Sequence, residues 1–140
     1  MNQQNDENSE VQEQEIALYE QIGGAEKLRE LVDCFYDLMS LEPAFQTIFK
    51  MHPTSLDGSR DKLYMFLSGW MGGPGLYIEK YGHPRLRARH LPFQIGVAER
   101  NQWVVCMREA MKDVQLDEKL QDRLLYAFYE TADFMRNKEG

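Results

Sequence analysis

Apolar positions recur along this chain every three or four residues and show no convincing alternation, which is the pattern of helices rather than strands. EIALYEQIGG (15–24) predicts a short helix stopped by Gly23 and Gly24, because glycine accepts the left-handed conformation that closes helices. Leu28, Leu31, Val32, Phe35, Leu38 and Met39 form the inward stripe of a second helix, with Tyr36 at its edge. Pro43 suits the first turn of a short helix carrying Phe45, Ile48 and Phe49, and HPTSLDGS (52–59) reads as a connection. A further helix holds Leu56, Leu63, Phe66, Leu67 and Trp70 and ends at GGPG (72–75). Residues 76–96 look irregular apart from one short helix ending near His90, since Pro92 disfavours helical backbone at the residue before it. Two long helices close the chain, one inward along Arg100, Trp103, Met107, Ala110, Met111 and Val114, the other along Leu120, Leu124, Ala127, Phe128, Thr131 and Met135. The class is all-α with no internal repeat. Residues 1–14 are nearly all polar and are expected to form a mobile extension, leaving one domain over 15–140.

Composition narrows the partners. Hydrophobic residues make up 43% and charged ones 28%, ordinary for a globular domain, and the formal charge is -7. That balance disfavours nucleic acid or an anionic membrane as a partner. No apolar run is long enough to span a bilayer, and the opening MNQQNDENSEVQEQE has no secretory pattern, so a cytoplasmic location is expected. Cys34 and Cys106 are too few for a disulfide framework and sit in helical apolar patterns, where a thiol acts as a small hydrophobe.

One stretch breaks the acidic trend. RLRARHLPFQIG (85–96) puts three arginines and a histidine directly before apolar residues. Taken alone, His90 is read most simply as an imidazole satisfied by a backbone carbonyl, and the arginines, with Lys80, as a solvated face. Zinc is disfavoured, because neither His83 with His90 nor the two cysteines has ligand spacing. One imidazole does suffice for haem iron, since the porphyrin supplies the other four nitrogens. A haem also explains the mixture: its macrocycle takes apolar neighbours such as Leu91 and Phe93, and its propionates take arginine or lysine. Tyr36 and Trp103 each place a hydrogen-bond donor on an inward face. Buried Tyr and Trp commonly donate to a carbonyl, but two donors converging on a polarised ligand would each contribute roughly 1.5–3 kcal/mol. GGPG lacks the Lys-Ser/Thr ending of a phosphate loop and reads as a chain breaker.

Several segments together resemble the truncated haemoglobins, specifically group II. They are YEQIGG (19–24), FYDLM (35–39), Phe49 before KMHP, KLYMFLSGWMGGPGLY (62–77), YGHPRLRARHLPF (81–93) and ERNQWVVCM (99–107), in order from about Ile16 to Phe134. The resemblance implies a two-on-two helical sandwich around haem b, with glycine pairs at 23–24 and 72–73 bending the chain about the cofactor. It implies His90 as the iron ligand, Tyr36 and Trp103 as distal donors, Phe49 as the aromatic residue packing on the haem, and Ser59 and Leu63 as distal positions. Ser59 stands where many globins carry a distal histidine, and His52, in the connection, is not expected to replace one. Phe66 and Phe93 are expected to wall the haem, and Arg89, with Arg87 or Lys62, to hold its propionates. The function so implied is oxygen binding or transport, with carbon monoxide and nitric oxide as further ligands. A redox role with an unidentified reductase is the extension: nitric oxide dioxygenation, peroxide turnover or nitrite reduction. The alternative from another class is a haem-free helical interaction module.

Overall fold

A computed structural model describes residues 16–139. The extension expected over 1–14, and with it the domain boundary, lies outside the described residues. Eight α-helices follow in order: α1 (Leu18–Ile22), α2 (Gly24–Leu41), α3 (Gln46–Phe49), α4 (Asp57–Trp70), α5 (Leu76–Tyr81), α6 (Leu86–His90), α7 (Val97–Asp113) and α8 (Glu118–Phe134). A 3-10 turn at Pro43–Phe45 leads into α3, and the described residues contain no strand. No helix among them is long and apolar enough to cross a membrane.

The four long helices carry the core. α7 packs most extensively on α8 and on α2, and α4 packs on α2. The stripes read from the sequence are the faces that meet: Leu28, Leu31, Val32, Phe35 and Met39 of α2 are fully buried, as are Cys106, Met107, Ala110 and Met111 of α7 and Leu124 of α8. Each large apolar side chain removed from water stabilises the fold by about 1.5–3 kcal/mol. Polar clamps add register. Arg60 of α4 reaches Asp33 (3.2 Å) and Asp37 (2.6 Å) on α2, and the Cys106 thiol, pushed up to about 12 by burial, donates to the Phe35 carbonyl.

The glycines work where backbone demands them. Gly23 closes α1 at φ 113° and Gly24 opens α2 at φ 80°, so one helix follows the other without a loop. At the end of α4 a Cβ on Gly73 would sit 2.4 Å from the Tyr19 ring, so only glycine lets α1 lie against this corner. The Tyr19 N–H donates there to the Met71 carbonyl (2.9 Å). Between α4 and α7 the chain is more ordered than the expected single short helix. It forms both α5 and α6, separated by Gly82 at φ 80° and by Arg85 at φ 48°.

Candidate functional site

The described residues enclose a cavity of about 430 Å3 between α2, α4, α6, α7 and α8. α4 supplies Ser59, Lys62, Leu63, Phe66, Leu67 and Trp70, which recur at helical spacing on one face. α2 supplies Tyr36, α7 supplies Trp103, and Phe128 comes from α8. Leu86, Arg89, His90, Phe93 and Ile95 complete the wall opposite them in sequence.

His90 is held in one orientation. Its Nδ1 lies 2.6 Å from the Leu86 carbonyl, which can only accept, so Nδ1 carries the proton and Nε2 keeps its lone pair. The carbonyl side of this loop is tied down by the far end of the chain. The Asn137 amide nitrogen donates to the carbonyls of His90 (3.2 Å) and Phe93 (2.7 Å), and its oxygen accepts from the Ile95 N–H (2.9 Å).

Tyr36 is buried and its hydroxyl makes no hydrogen bond among the described residues. Burial raises its pKa, with the Arg60 charge acting the other way, so it stays a neutral phenol and a donor. The Trp103 indole N–H is likewise unpartnered there. Its ring meets Phe35 at 5.2 Å and Phe128 at 5.6 Å, and Phe128 stacks on Trp70 at 4.9 Å. Two donors are thus fixed by aromatic packing rather than by partners of their own. The Tyr36 hydroxyl lines the cavity with its hydrogen-bonding capacity unspent, so a polar ligand there can pair with it.

Not every expected residue lines the cavity. Phe49 packs against the core elsewhere, while Ile48, Met51 and His52 occupy its place. The His52 ring lies edge-on to Tyr36 at 5.6 Å and its Nδ1 is 2.8 Å from the Ile48 carbonyl, so the connection does bring a histidine to the wall. Burial lowers the pKa of His52, and the imidazole is neutral at pH 7. Arg87 is also elsewhere: its guanidinium lies over Phe134 (5.9 Å) and donates to the Arg136 carbonyl (3.4 Å). Leu91 is 55% exposed and does not line the cavity, whereas Phe93 does. Arg89 and Lys62 stand on the wall with no ion pair among the described residues.

Reasoning from sequence also missed residues. Tyr77 lines the cavity beneath Phe66 (6.3 Å). Glu99 is buried on its edge, where burial opposes its charge but the Gly96 N–H (3.2 Å) and Lys138 (3.3 Å) hold its pKa below the ordinary range. Its position three residues into α7 was a readable helix-start signal. Asn137 carried no such signal.

The residues present fit an iron porphyrin. The walls are apolar and aromatic, the His90 and His52 rings each keep a free Nε2, the Tyr36 hydroxyl has no partner, and Lys62 and Arg89 at the wall have no ion pair among the described residues. Comparison with known proteins agrees. The family model of the bacterial-like globins matches residues 17–137. The group 2 truncated hemoglobin YjbI of Bacillus subtilis (strain 168) is 41% identical over 122 residues, 87% of this chain and 89% of that protein. Among solved structures, the cold-adapted truncated hemoglobin of the Antarctic bacterium Pseudoalteromonas haloplanktis TAC125 superposes with a TM-score of 0.85 at 36% identity, covering 88% of this chain and 99% of that one. The group II 2-on-2 hemoglobin of Agrobacterium tumefaciens gives 0.84 at 40% identity over 89% and 96%.

Proposed function

Because this chain belongs to the bacterial-like globins, as a group II truncated haemoglobin of two-on-two fold that binds haem, we propose that it holds haem b through His90 and reversibly binds dioxygen, carbon monoxide and nitric oxide. The observation that carries this reading is one cavity into which His90, its Nδ1 bonded to the Leu86 carbonyl, offers a free Nε2, and in which the Tyr36 hydroxyl has no partner among the described residues. When bound, the haem supplies an iron that takes a gaseous ligand and can exchange an electron.

Each residue then has a defined task. Leu86 and Asn137 hold the His90 ring and loop so that Nε2 keeps its direction. The Tyr36 hydroxyl and the Trp103 indole N–H donate to the gaseous ligand, with the Ser59 hydroxyl a third donor and the neutral His52 ring beside Tyr36. Leu63, Phe66 and Phe93 exclude water from it. Arg89 and Lys62 take the propionates as charge-assisted bonds. The haem b reading is supported by the lack of a Cys-x-x-Cys-His stretch at His90, since neither cysteine stands near it to attach a haem covalently.

Two donors slow the escape of a polar ligand, which suits redox turnover in the cytoplasm, fed by a reductase, better than oxygen delivery. The test is spectroscopic and kinetic. The purified protein is expected to show an intense Soret band that is altered or lost in His90→Gly. Tyr36→Phe and Trp103→Leu should each speed dioxygen release by roughly ten- to a hundredfold, from the loss of about 1.5–3 kcal/mol. A colourless protein that takes up no added haem overturns the reading, and unchanged release in both variants overturns the donor roles.

A further inference from the structure

The basic island is larger than the haem cavity uses. Lys62 and Arg89 line that cavity, but Arg85 and Arg87 line an adjoining, more open one of about 480 Å3 that shares Trp70, Leu86, Thr131 and Met135 with it. That volume lies within the roughly 300–1,000 Å3 of small-molecule sites. Its floor is apolar, made of Trp70, Leu86, Phe134 and Met135, and its rim carries His83 and the two arginines against one acid, Glu130.

Three features mark it as more than a dent. Arg29, Arg60, Arg100 and Arg136 are each ion-paired, whereas Arg85 and Arg87 have no carboxylate within bridging distance among the described residues. Arg85 holds φ 48° and ψ 53°, a left-handed conformation that non-glycine residues seldom keep without reason. Its N–H donates to His83 Nδ1 (3.1 Å), which leaves the His83 Nε2–H as a further donor. Phe134 is left 62% exposed at the edge, with the Arg87 guanidinium over its ring.

We propose that this cavity binds a monocarboxylate with a short apolar tail, the carboxylate between Arg85 and Arg87 and the tail across Trp70, Leu86 and Phe134. Charge selects the head, because two guanidinium groups without a carboxylate partner outnumber the single acid. The apolar floor selects the tail. The site also touches the iron ligand: Leu86 lines both cavities, and its carbonyl is the acceptor that orients His90. An occupant pressing on Leu86 therefore alters the His90 hydrogen bond, a consequence that rests on the haem reading above.

Calorimetric titration of the haem-loaded protein with octanoate, 1-octanol and inorganic phosphate tests it. Octanoate should bind, and Arg85→Ala and Arg87→Ala should each weaken it about tenfold or more, the loss of a charge-assisted bond. Phe134→Ser should weaken it too, and Glu130→Gln should tighten it. None of these four positions lines the haem cavity, so the variants should keep the parent Soret band. Octanol or phosphate binding as tightly as octanoate overturns the proposal, as does octanoate affinity unmoved in both arginine variants. A Soret band unshifted at saturation overturns the link to His90. A protein without any Soret band defeats the haem assignment instead, and octanoate binding still reports on this site.

Discussion

The two walls of the haem cavity are built on different principles. The wall of α2, α4 and α7 leans on the core: Tyr36 and Trp103 are fixed by Phe35 and Phe128, which are 0% and 1% exposed. The wall from α6 to residue 96 has little behind it. α6 contains no buried residue, and its following loop is held by hydrogen bonds from Asn137. Packing energy is shared over many neighbours, so the first wall should yield only when the whole fold yields. Hydrogen bonds are few and local, so the second can loosen alone. The donors that meet a ligand thus sit on the stiff side, and the iron ligand on the adjustable side.

Phe128→Ala should break this contrast most severely. It removes the ring that stacks on Trp70 and meets Trp103, and truncation of a fully buried phenylalanine costs about 3–5 kcal/mol. Urea denaturation should show that loss as a lower midpoint. A cost below about 1 kcal/mol would mean that the aromatic belt does not support the donor wall.

Asn137→Ala should do the opposite. It deletes three hydrogen bonds on the 90–95 loop, and a net contribution of about 0.5–1.5 kcal/mol for each predicts haem released at least tenfold faster. The urea midpoint should fall less than in Phe128→Ala, because no core is opened. Haem retention equal to the parent would show that the loop is held by something else.

Acid acts on the same end of the molecule. Hydrogen bonds from Arg100 (2.7 Å) and Arg136 (3.2 Å) hold Asp133 below its ordinary pKa near 3.8, and Glu99 is held down as well. Carboxylates with a depressed folded pKa stabilise the fold above their unfolded value and lose that contribution as pH falls through the folded one. Stability should therefore decline gently as pH falls below about 6.5, where the unfolded chain protonates His52 while burial keeps the folded imidazole neutral, and more steeply below about 4. Asp133→Asn should shallow the decline, and an identical acid limb in that variant would remove Asp133 from the account. Both residues fasten the segment that carries Asn137, so haem loss should accelerate over the same interval.

The same contrast explains what could be read in advance. The long helices, their inward stripes and the residues Tyr36, Trp103, Leu63 and Phe66 follow from a 3.6-residue period, which survives small errors over four or five turns, whereas Ser59, read as part of a connection, was placed only by the resemblance. Phe49 shows the limit. α3 is only four residues long, and the 3-10 turn before it resets the phase, so the face toward the cavity carries Ile48 and, one turn on, His52. α5 and α6, at six and five residues, are likewise too short to print a periodic stripe. Asn137 lies 47 residues beyond His90 and works through a side-chain amide to backbone, a contact that leaves no pattern in composition or spacing. Arg87, two residues from Arg89, faces the other side of a single helical turn, a distinction that charge alone does not make.

The smallest expected change in stability is the most discriminating. Tyr36→Phe keeps the ring that packs on Phe35 and deletes only the hydroxyl. A buried tyrosine that donates to the protein ordinarily loses about 0.5–1.5 kcal/mol when its hydroxyl is removed. Here the hydroxyl has no protein partner among the described residues and faces the cavity, so in the protein free of gaseous ligand the substitution should cost little or nothing, since no protein bond is lost. The same variant should still lose its hold on dioxygen. A residue whose loss spares the fold but not the ligand is serving the cavity rather than the core. If the ligand-free urea midpoint instead fell by the equivalent of more than about 1 kcal/mol, the hydroxyl would have a partner within the protein, and the stiff wall would present one donor, Trp103, rather than two.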